Sequence, residues 1–140
     1  MTLVVDSSVA VKWFVQEPLR DEARKLIRGD APLCAPDLLF AEIANIGWRL
    51  VTRGDVGRDL ALRMATQVGD PFSTIVSSSL LCERAFEIAL TLGHPAYDCM
   101  YLACAEVTDA VVVTADKRFH AAAQGGPYAE LVRHLSDFSP

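Results

Sequence analysis

Residues 110–119, with the sequence AVVVTADKRF, contain the clearest predicted β-strand of this chain. The strand is rich in residues that favour extended backbone, and Asp116 follows its last residue, Thr114, after one alanine. A similar arrangement occurs in TLVVDSS, because residues 3–6 suit a strand buried on both faces and end in Asp6. Strands that lead into helices in this way indicate a parallel α/β sheet whose faces are covered by helices.

The rest of the chain fits the same α/β pattern. Further short strands are predicted at 32–35 and 72–76, and a final edge strand is predicted in ELVRHL, residues 130–135. The predicted helices cover residues 7–15, 19–28, 36–52, 57–68, 79–92, 96–107 and 116–123. Ser7 or Ser8 is expected to cap the first of them. No repeat or linker divides the sequence, so we expect one domain over residues 1–140 with a sheet of four to five strands.

Composition places the chain among globular proteins. Of its 140 residues, 51% are hydrophobic and 22% are charged, which is enough apolar material for a sizeable core. No apolar run reaches the roughly 20 residues that cross a bilayer, and no signal-like segment opens the sequence. We therefore expect a cytoplasmic protein with no membrane partner. The cysteines form no CxxC pair, which favours buried free thiols over zinc ligands or disulfides; they are Cys34, Cys82, Cys99 and Cys104.

The most informative residues are four acids that stand where predicted strands end or predicted helices begin: Asp6, Glu42, Asp98 and Asp116. Each has strongly apolar neighbours, and burying any of them alone would be costly. The crevice of a parallel sheet lies outside the carboxyl ends of its strands, so all four could line one cleft. They have no matching set of lysines and arginines. A hard divalent cation such as Mg²⁺ or Mn²⁺, which takes oxygen ligands, is the natural source of compensating charge.

These four acids predict metal-assisted hydrolysis of a phosphodiester, in which bound ions activate a water and stabilise the leaving oxygen. We expect Asp6 and Asp98 to be direct metal ligands, and Asp116 and Glu42 to bind a second ion or hold metal-bound waters. The net charge of −5 argues against a broad basic surface for nucleic acid. Four of those charges belong to the candidate site, however, and a bound metal would reverse the local potential. An RNA partner is therefore not excluded.

Polar side chains near the four acids are predicted to support them. Ser8 and Thr114 each lie two residues from an aspartate and could orient a carboxylate or a bound water. Asn45 follows Glu42 by about one turn on the same helical face. The basic residues nearest the site in sequence could contact RNA phosphates, with solvated surface positions as the alternative; they are Arg49, Arg53, Lys117 and Arg118.

Structural roles are the alternative for the acids as well. Asp98 and Asp116 stand where the helix dipole favours a negative charge, a contribution of about 0.3–1 kcal/mol. Asp6 could make a local turn with the serines that follow it, and the helical stripe from Glu42 could face solvent. A purely structural explanation would have to apply separately to each of the four acids, although all four are predicted to lie at one sheet edge.

The histidines and large aromatic residues give no catalytic signal. The histidines show neither metal spacing nor a triad arrangement, and they are predicted to be non-catalytic; they are His94, His120 and His134. Three aromatic residues on apolar helix faces are predicted to be core or oligomer contacts rather than platforms for stacked bases; they are Trp13, Phe14 and Trp48.

Four ordered blocks, which together extend over nearly the whole chain, resemble a PIN domain of the VapC toxin type. The blocks are VVDSSVAVKWF, PDLLFAEIANIGWR, HPAYDCMYLACAE and VVVTADKRF. The resemblance implies a PIN-like three-layer α/β fold with a central parallel sheet. It places the four acids on the family's acidic quartet, and Ser8, Thr114 and Asn45 on the polar positions that accompany that quartet.

The same resemblance implies an activity and partners. It implies a Mg²⁺-dependent endoribonuclease, in which Mn²⁺ can substitute, that blocks translation by cutting structured RNA, often transfer or ribosomal RNA. It also implies a homodimer and a cognate antitoxin of the VapB type, whose C-terminal segment wraps the toxin and covers the acidic site.

Two other functions remain open on the sequence. A phospho-acceptor signalling domain also binds Mg²⁺ in an acidic pocket on a parallel sheet. That pocket normally has two adjacent acids after the first strand and a lysine after a late strand, whereas Asp6 is followed by Ser7 and Ser8, and the late strand ends in Thr114. The second alternative is an inactive PIN fold that serves only to bind a partner.

Overall fold

A parallel five-stranded sheet forms the centre of the computed structural model, which describes residues 1–138. The strands are β1 (Thr2–Val5), β2 (Leu33–Pro36), β3 (Thr74–Val76), β4 (Ala110–Thr114) and β5 (Val132–His134). Their order across the sheet is β3-β2-β1-β4-β5, and every neighbouring pair is parallel. The predicted α/β fold with a parallel sheet of four to five strands is therefore confirmed.

The central strand β1 is covered on both faces, as its sequence predicts. Leu3, Val4 and Val5 are at most 1% exposed. Since successive side chains of a strand point to opposite faces of the sheet, both faces must be packed. Val4 pairs with Cys34 of β2 on one side and with Val112 of β4 on the other.

Seven α-helices flank the sheet in the part of the chain that the structure describes. They are α1 (Ser7–Ala10), α2 (Arg20–Arg28), α3 (Leu38–Thr52), α4 (Arg58–Gln67), α5 (Cys82–Leu92), α6 (Ala96–Thr108) and α7 (Lys117–Gln124). Short 3₁₀ turns extend or connect them at Val11–Trp13, Ser78–Leu80, Ala129–Leu131 and Leu135–Asp137. Within residues 1–138, every helix is too short or too polar to cross a membrane.

Helix α6 is the buried helix of the fold. It packs across β1, β2 and β4, while α5 packs along its outer side. The seven consecutive residues from Cys99 to Ala105 are all buried, which explains why this segment is apolar on nearly every face. The first turn of α6, where Asp98 lies, is therefore fixed firmly relative to the sheet.

Two predictions about element boundaries were wrong in detail. Asp6, rather than Ser7 or Ser8, caps α1, because its carboxylate accepts a hydrogen bond from the Val9 amide. Pro36 is the last residue of β2 instead of the first residue of a helix. It is tolerated there because β1 pairs with β2 only through Leu33 and Cys34, so the missing Pro36 N–H removes no bond to β1.

One expectation about buried side chains needs correction. Cys82 is exposed on α5, whereas the other three cysteines are buried free thiols. Of the two roles predicted for Trp48, core or oligomer contact, its 63% exposure excludes the core. Trp13 is a core residue, 6% exposed, and donates its indole N–H to the carbonyl of Ala23 at 2.9 Å. Trp48 lies on α3 beside charged residues, where the pattern of the helix alone could not distinguish its faces.

Candidate active site

The first two acids lie at the carboxyl ends of the two central strands. Asp6 directly follows β1, and Asp116 follows β4 by two residues. These strands are neighbours, and the strand order reverses between them, so their ends open onto the crevice where α/β sheets bind ligands. Asp116 also caps α7, because its Oδ1 accepts hydrogen bonds from the amides of Arg118 at 2.9 Å and Phe119 at 3.2 Å.

Helices α3 and α6 bring the other two acids to the same place. Glu42 lies in the second turn of α3, and Asp98 lies in the first turn of α6. Together with Asp116 they line one cavity of about 440 Å³. Asp6 is only 4% exposed and lies directly behind Ser8, which also lines the cavity. Four carboxylates from four separate segments therefore come together at one sheet edge.

A hydroxyl network joins the ends of β1 and β4. Ser8 Oγ donates to Asp6 Oδ1 at 2.6 Å and accepts from the Ala115 amide at 2.9 Å. Thr114 Oγ1 lies 3.3 Å from Ser8 Oγ and accepts from the Asp116 amide at 3.0 Å. Both predicted hydroxyls thus fix the backbone around the two aspartates as well as the Asp6 carboxylate.

Other predicted polar residues stand apart from the cavity. Asn45 is exposed on α3 and is not among the described residues that line it. Lys117 and Arg118 are also exposed and lie outside the lining. Arg49 and Arg53 do line it, because the face of α3 that contains Glu42 continues through them at helical spacing.

Two residues that the sequence reasoning assigned no role contact the acids directly. The hydroxyl of Tyr101, a residue 1% exposed, donates to Glu42 Oε1 at 2.6 Å. His94 Nε2 lies 2.6 Å from Asp98 Oδ2, and its ring stacks on Phe119 with centroids 5.6 Å apart. His94 was predicted to be non-catalytic, and its contact with Asp98 gives it a positioning role beside the site. The signal for His94 in the sequence was its position four residues before Asp98. The signal for Tyr101 was that a buried tyrosine hydroxyl usually has a hydrogen-bond partner.

Burial and mutual repulsion raise the proton affinity of three of the four acids. Burial raises the pKa of Asp6 to about 7, against the hydrogen bonds from Ser8 and Thr114, and the Asp98 carboxylate raises it further. Burial, followed by the charge of Asp98, raises the pKa of Glu42. Burial also raises the pKa of Asp98, although the hydrogen bond from His94 lowers it, and repulsion from Asp116 adds to the rise. The carboxylates thus form one electrostatically coupled group.

The chemistry of this group fits a hard divalent cation. Its donors are carboxylate and hydroxyl oxygens, which Mg²⁺ and Mn²⁺ prefer, and a shared cation would relieve the repulsion among them. Within residues 1–138, however, no three His, Cys, Asp or Glu side chains converge as a ready-made metal site. Each carboxylate has its own partner. Asp6 accepts from Ser8, Glu42 accepts from Tyr101, and Asp98 lies against His94. Asp116 accepts from the amides at the start of α7. Hydrogen bonds within the described residues leave Asp98 Oδ1 and Asp116 Oδ2 free.

A buried ion pair completes the lining of the cavity. Lys12, on the 3₁₀ turn Val11–Trp13, is 8% exposed, and its Nζ lies 3.0 Å from Glu17 Oε1. Both residues line the cavity, as do Arg49 and Arg53. The sequence reasoning included neither member of this pair. A lysine in an otherwise apolar helix, VAVKWF, was the signal that was available.

Comparison with known proteins agrees with the fold. The family model described as PIN domain matches residues 3–125. Ribonuclease VapC3 of Pyrobaculum aerophilum is 30% identical over 120 residues, which cover 84% of this chain and 92% of that protein.

Solved structures share the same fold. The crystal structure of PAE2754 from Pyrobaculum aerophilum superposes with a TM-score of 0.71 at 22% identity, covering 97% of this chain and 85% of that one. VapC20 of Mycobacterium tuberculosis, described as a sarcin–ricin loop cleaving toxin, gives a TM-score of 0.68 at 17% identity over 86% of this chain and 95% of that one. On the family match and the 30% identity, the chain belongs to the PIN-domain family, to the VapC type within it.

Proposed function

We propose that this protein is a metal-dependent endoribonuclease and the toxin of a type II toxin–antitoxin system of the VapBC kind. The 30% identical relative is named a ribonuclease, and it is matched over 92% of its length. The substrate is RNA, with transfer or ribosomal RNA as the expected targets, and its cleavage would inhibit translation in the cytoplasm.

One observation carries this proposal: three acids line a single cavity with a fourth directly behind it, and neither lysine nor arginine pairs with any of the four within the described residues. Purely structural carboxylates at helix starts would each face solvent or a cationic partner. Here the pKa values of Asp6, Glu42 and Asp98 rise, chiefly because these side chains are buried and also because other acids lie near them. A site that requires cations is the simplest reason to keep such an arrangement.

The chain's own residues prepare the site for hydrolysis. Ser8 and the α1 cap hold Asp6, Tyr101 orients Glu42, and His94 orients Asp98. A Mg²⁺ or Mn²⁺ ion held by Asp6, Asp98, Asp116 and Glu42 would supply the positive charge that activates water for in-line attack and stabilises the leaving oxygen. Hydrolysis of this kind leaves 5′-phosphate and 3′-hydroxyl ends.

The proposal includes two protein partners. Complexes of related fold from Klebsiella pneumoniae and Rickettsia felis are a toxin–antitoxin complex and VapBC2 bound to promoter DNA. By analogy we propose a VapB-type antitoxin that covers the acidic cavity, and a homodimer of this chain.

Cleavage of bulk cellular RNA by the purified protein tests the proposal. We expect fragments with 5′-phosphate ends in Mn²⁺ or Mg²⁺ and none in EDTA. The Asp98→Asn variant should lose cleavage while it keeps its circular dichroism spectrum. Asp59→Asn, which changes an exposed acid on α4, is the matched control and should cleave like the wild type. Cleavage that survives in Asp98→Asn, or that proceeds in EDTA, would contradict the proposed chemistry.

A further inference from the structure

The lining of the acidic cavity carries charges of both signs. Its acids include Glu42, Asp98 and Asp116, and its basic residues are Lys12, Arg49 and Arg53. With Glu17 included, the lining has four carboxylates and three cationic side chains, and Asp6 behind it adds a fifth carboxylate. The sum is −1 when Asp6 is protonated and −2 when it is ionised, so one divalent cation brings it to +1 or to 0. A phosphodiester could then enter a cavity that repels it in the metal-free protein.

Among the three basic residues, Lys12 alone is buried; Arg49 and Arg53 are exposed. The lysine side chain is 11% exposed, and its carboxylate partner, Glu17, is 31% exposed. Burying an ammonium group is costly unless a charged partner and good geometry compensate. The single contact to Glu17 at 3.0 Å uses one of the three donors that an ammonium group has.

Lys12 is also held in a fixed relation to the acids. Asp6 caps α1, and α1 continues without a break into the turn Val11–Trp13 that bears Lys12. Trp13 anchors this turn through its bond to the carbonyl of Ala23, and Arg24 donates to the carbonyl of Trp13 at 3.1 Å. The ammonium therefore belongs to the same rigid segment as the first acid of the site.

We propose that Lys12 is a catalytic residue that binds the scissile phosphate of the RNA, and that Glu17 holds its ammonium at the cavity wall until RNA enters. This inference rests on the proposed function. An ammonium is a compact point charge suited to a single phosphate oxygen, and Glu17, which is more exposed, can return to solvent when a phosphate takes its place. Arg49 and Arg53, further along α3, would contact flanking phosphates.

The competing explanation is that the pair merely fixes the turn between Trp13 and α2. Three variants distinguish the two explanations: Lys12→Met, Lys12→Arg and Glu17→Gln. Lys25→Met is the matched control, because it removes an equal charge from an exposed lysine that lines a different cavity. Each variant is assayed for cleavage of bulk transfer RNA in Mn²⁺, for Mn²⁺ binding by calorimetry, and for binding of labelled transfer RNA in Ca²⁺ at several salt concentrations.

We expect Lys12→Met to bind the RNA about tenfold more weakly or worse, as for the loss of one charge-assisted hydrogen bond. Its plot of log affinity against log salt should become shallower by about 1, while Mn²⁺ binding stays at the wild-type level. Lys12→Arg should recover part of the affinity, Glu17→Gln should bind RNA at least as tightly as the wild type, and Lys25→Met should match the wild type.

Equal loss of stability in Lys12→Met and Glu17→Gln, with RNA affinity and salt dependence unchanged in both, would overturn the inference and leave the proposed function intact. A wild-type protein that neither binds nor cleaves RNA would overturn the proposed function and this inference together.

Discussion

Replacement of Asp6 by asparagine should stabilise the metal-free protein at alkaline pH, although it removes a central residue of the site. Asparagine keeps the shape of the side chain, caps helices as well as aspartate does, and can accept the hydrogen bond from Ser8. What the substitution removes is a charge that the fold holds in a buried position, where Asp6 is 4% exposed.

The magnitude follows from the pKa of the buried carboxyl. Burial raises the pKa of Asp6 from 3.8 to about 7, and each pKa unit corresponds to about 1.4 kcal/mol. The folded protein therefore holds this proton more tightly than the unfolded chain does. The resulting stability is complete below about pH 4, is lost as the pH rises towards about 7, and amounts to about 4 kcal/mol. Above pH 7 the wild type keeps a buried charge that the variant lacks.

Urea unfolding in EDTA at pH 5 and at pH 8 measures this effect. Between these pH values the free energy of unfolding of the wild type should fall by about 2.5 kcal/mol more than that of Asp6→Asn, because about two of the three pKa units of the shift lie above pH 5. Asp55→Asn, in the exposed turn between α3 and α4, serves as a control for a change of net charge. Saturating Mn²⁺ at pH 8 should restore the free energy of unfolding of the wild type and leave that of Asp6→Asn unchanged. The reason is that a ligand that binds only the folded state stabilises that state. A pH dependence that is the same in the wild type and in Asp6→Asn would refute the reasoning.

Two further substitutions test the groups that hold the acids. Tyr101→Phe removes the donor to Glu42, and we expect the free energy of unfolding in urea to fall by about 1.5–3 kcal/mol. Mn²⁺ binding, measured by calorimetry, should also become weaker. Unchanged metal affinity would show that the tyrosine supports only the core. Ser8→Ala should lower the free energy of unfolding by about 1–3 kcal/mol, because the amide of Ala115 loses its acceptor and Asp6 loses its hydroxyl donor. The amide proton of Ala115 should also exchange faster with solvent. Stability and exchange at the wild-type level would contradict the role assigned to this hydroxyl.

The strands and the positions of the acids were predictable because local sequence determines them. AVVVT is β4 from its first residue to its last, and β1 was predicted to within one residue at each end, because runs of β-branched residues have few alternatives in a buried sheet. The convergence of the four acids followed from one general property, that the carboxyl ends of parallel strands meet at a single edge.

The partners of the acids were not predictable, because they depend on side-chain packing across the fold. Tyr101 lies 59 residues from Glu42 in sequence, and only the placement of α6 beside α3 reveals that they meet. The periodicity of α3 likewise suggested Asn45, one turn after Glu42, yet Ile46 and Arg49 are the positions that face the cavity. A difference of one residue in helical phase, which sequence periodicity resolves poorly, decides which polar group reaches the site.

The order of the strands also determines when the cavity can first exist during synthesis of the chain. β1 is made first but lies in the middle of the sheet, and its neighbour β4 begins more than 100 residues later, since Thr2 pairs with Ala110. Ribosomes add about 5–20 residues per second, so β1 is left without one of its two neighbours for several seconds of translation. A nascent chain that has not yet released Asp116 from the ribosome holds an incomplete set of the four carboxylates, so the cavity cannot be complete until β4 and the residues that follow it have emerged.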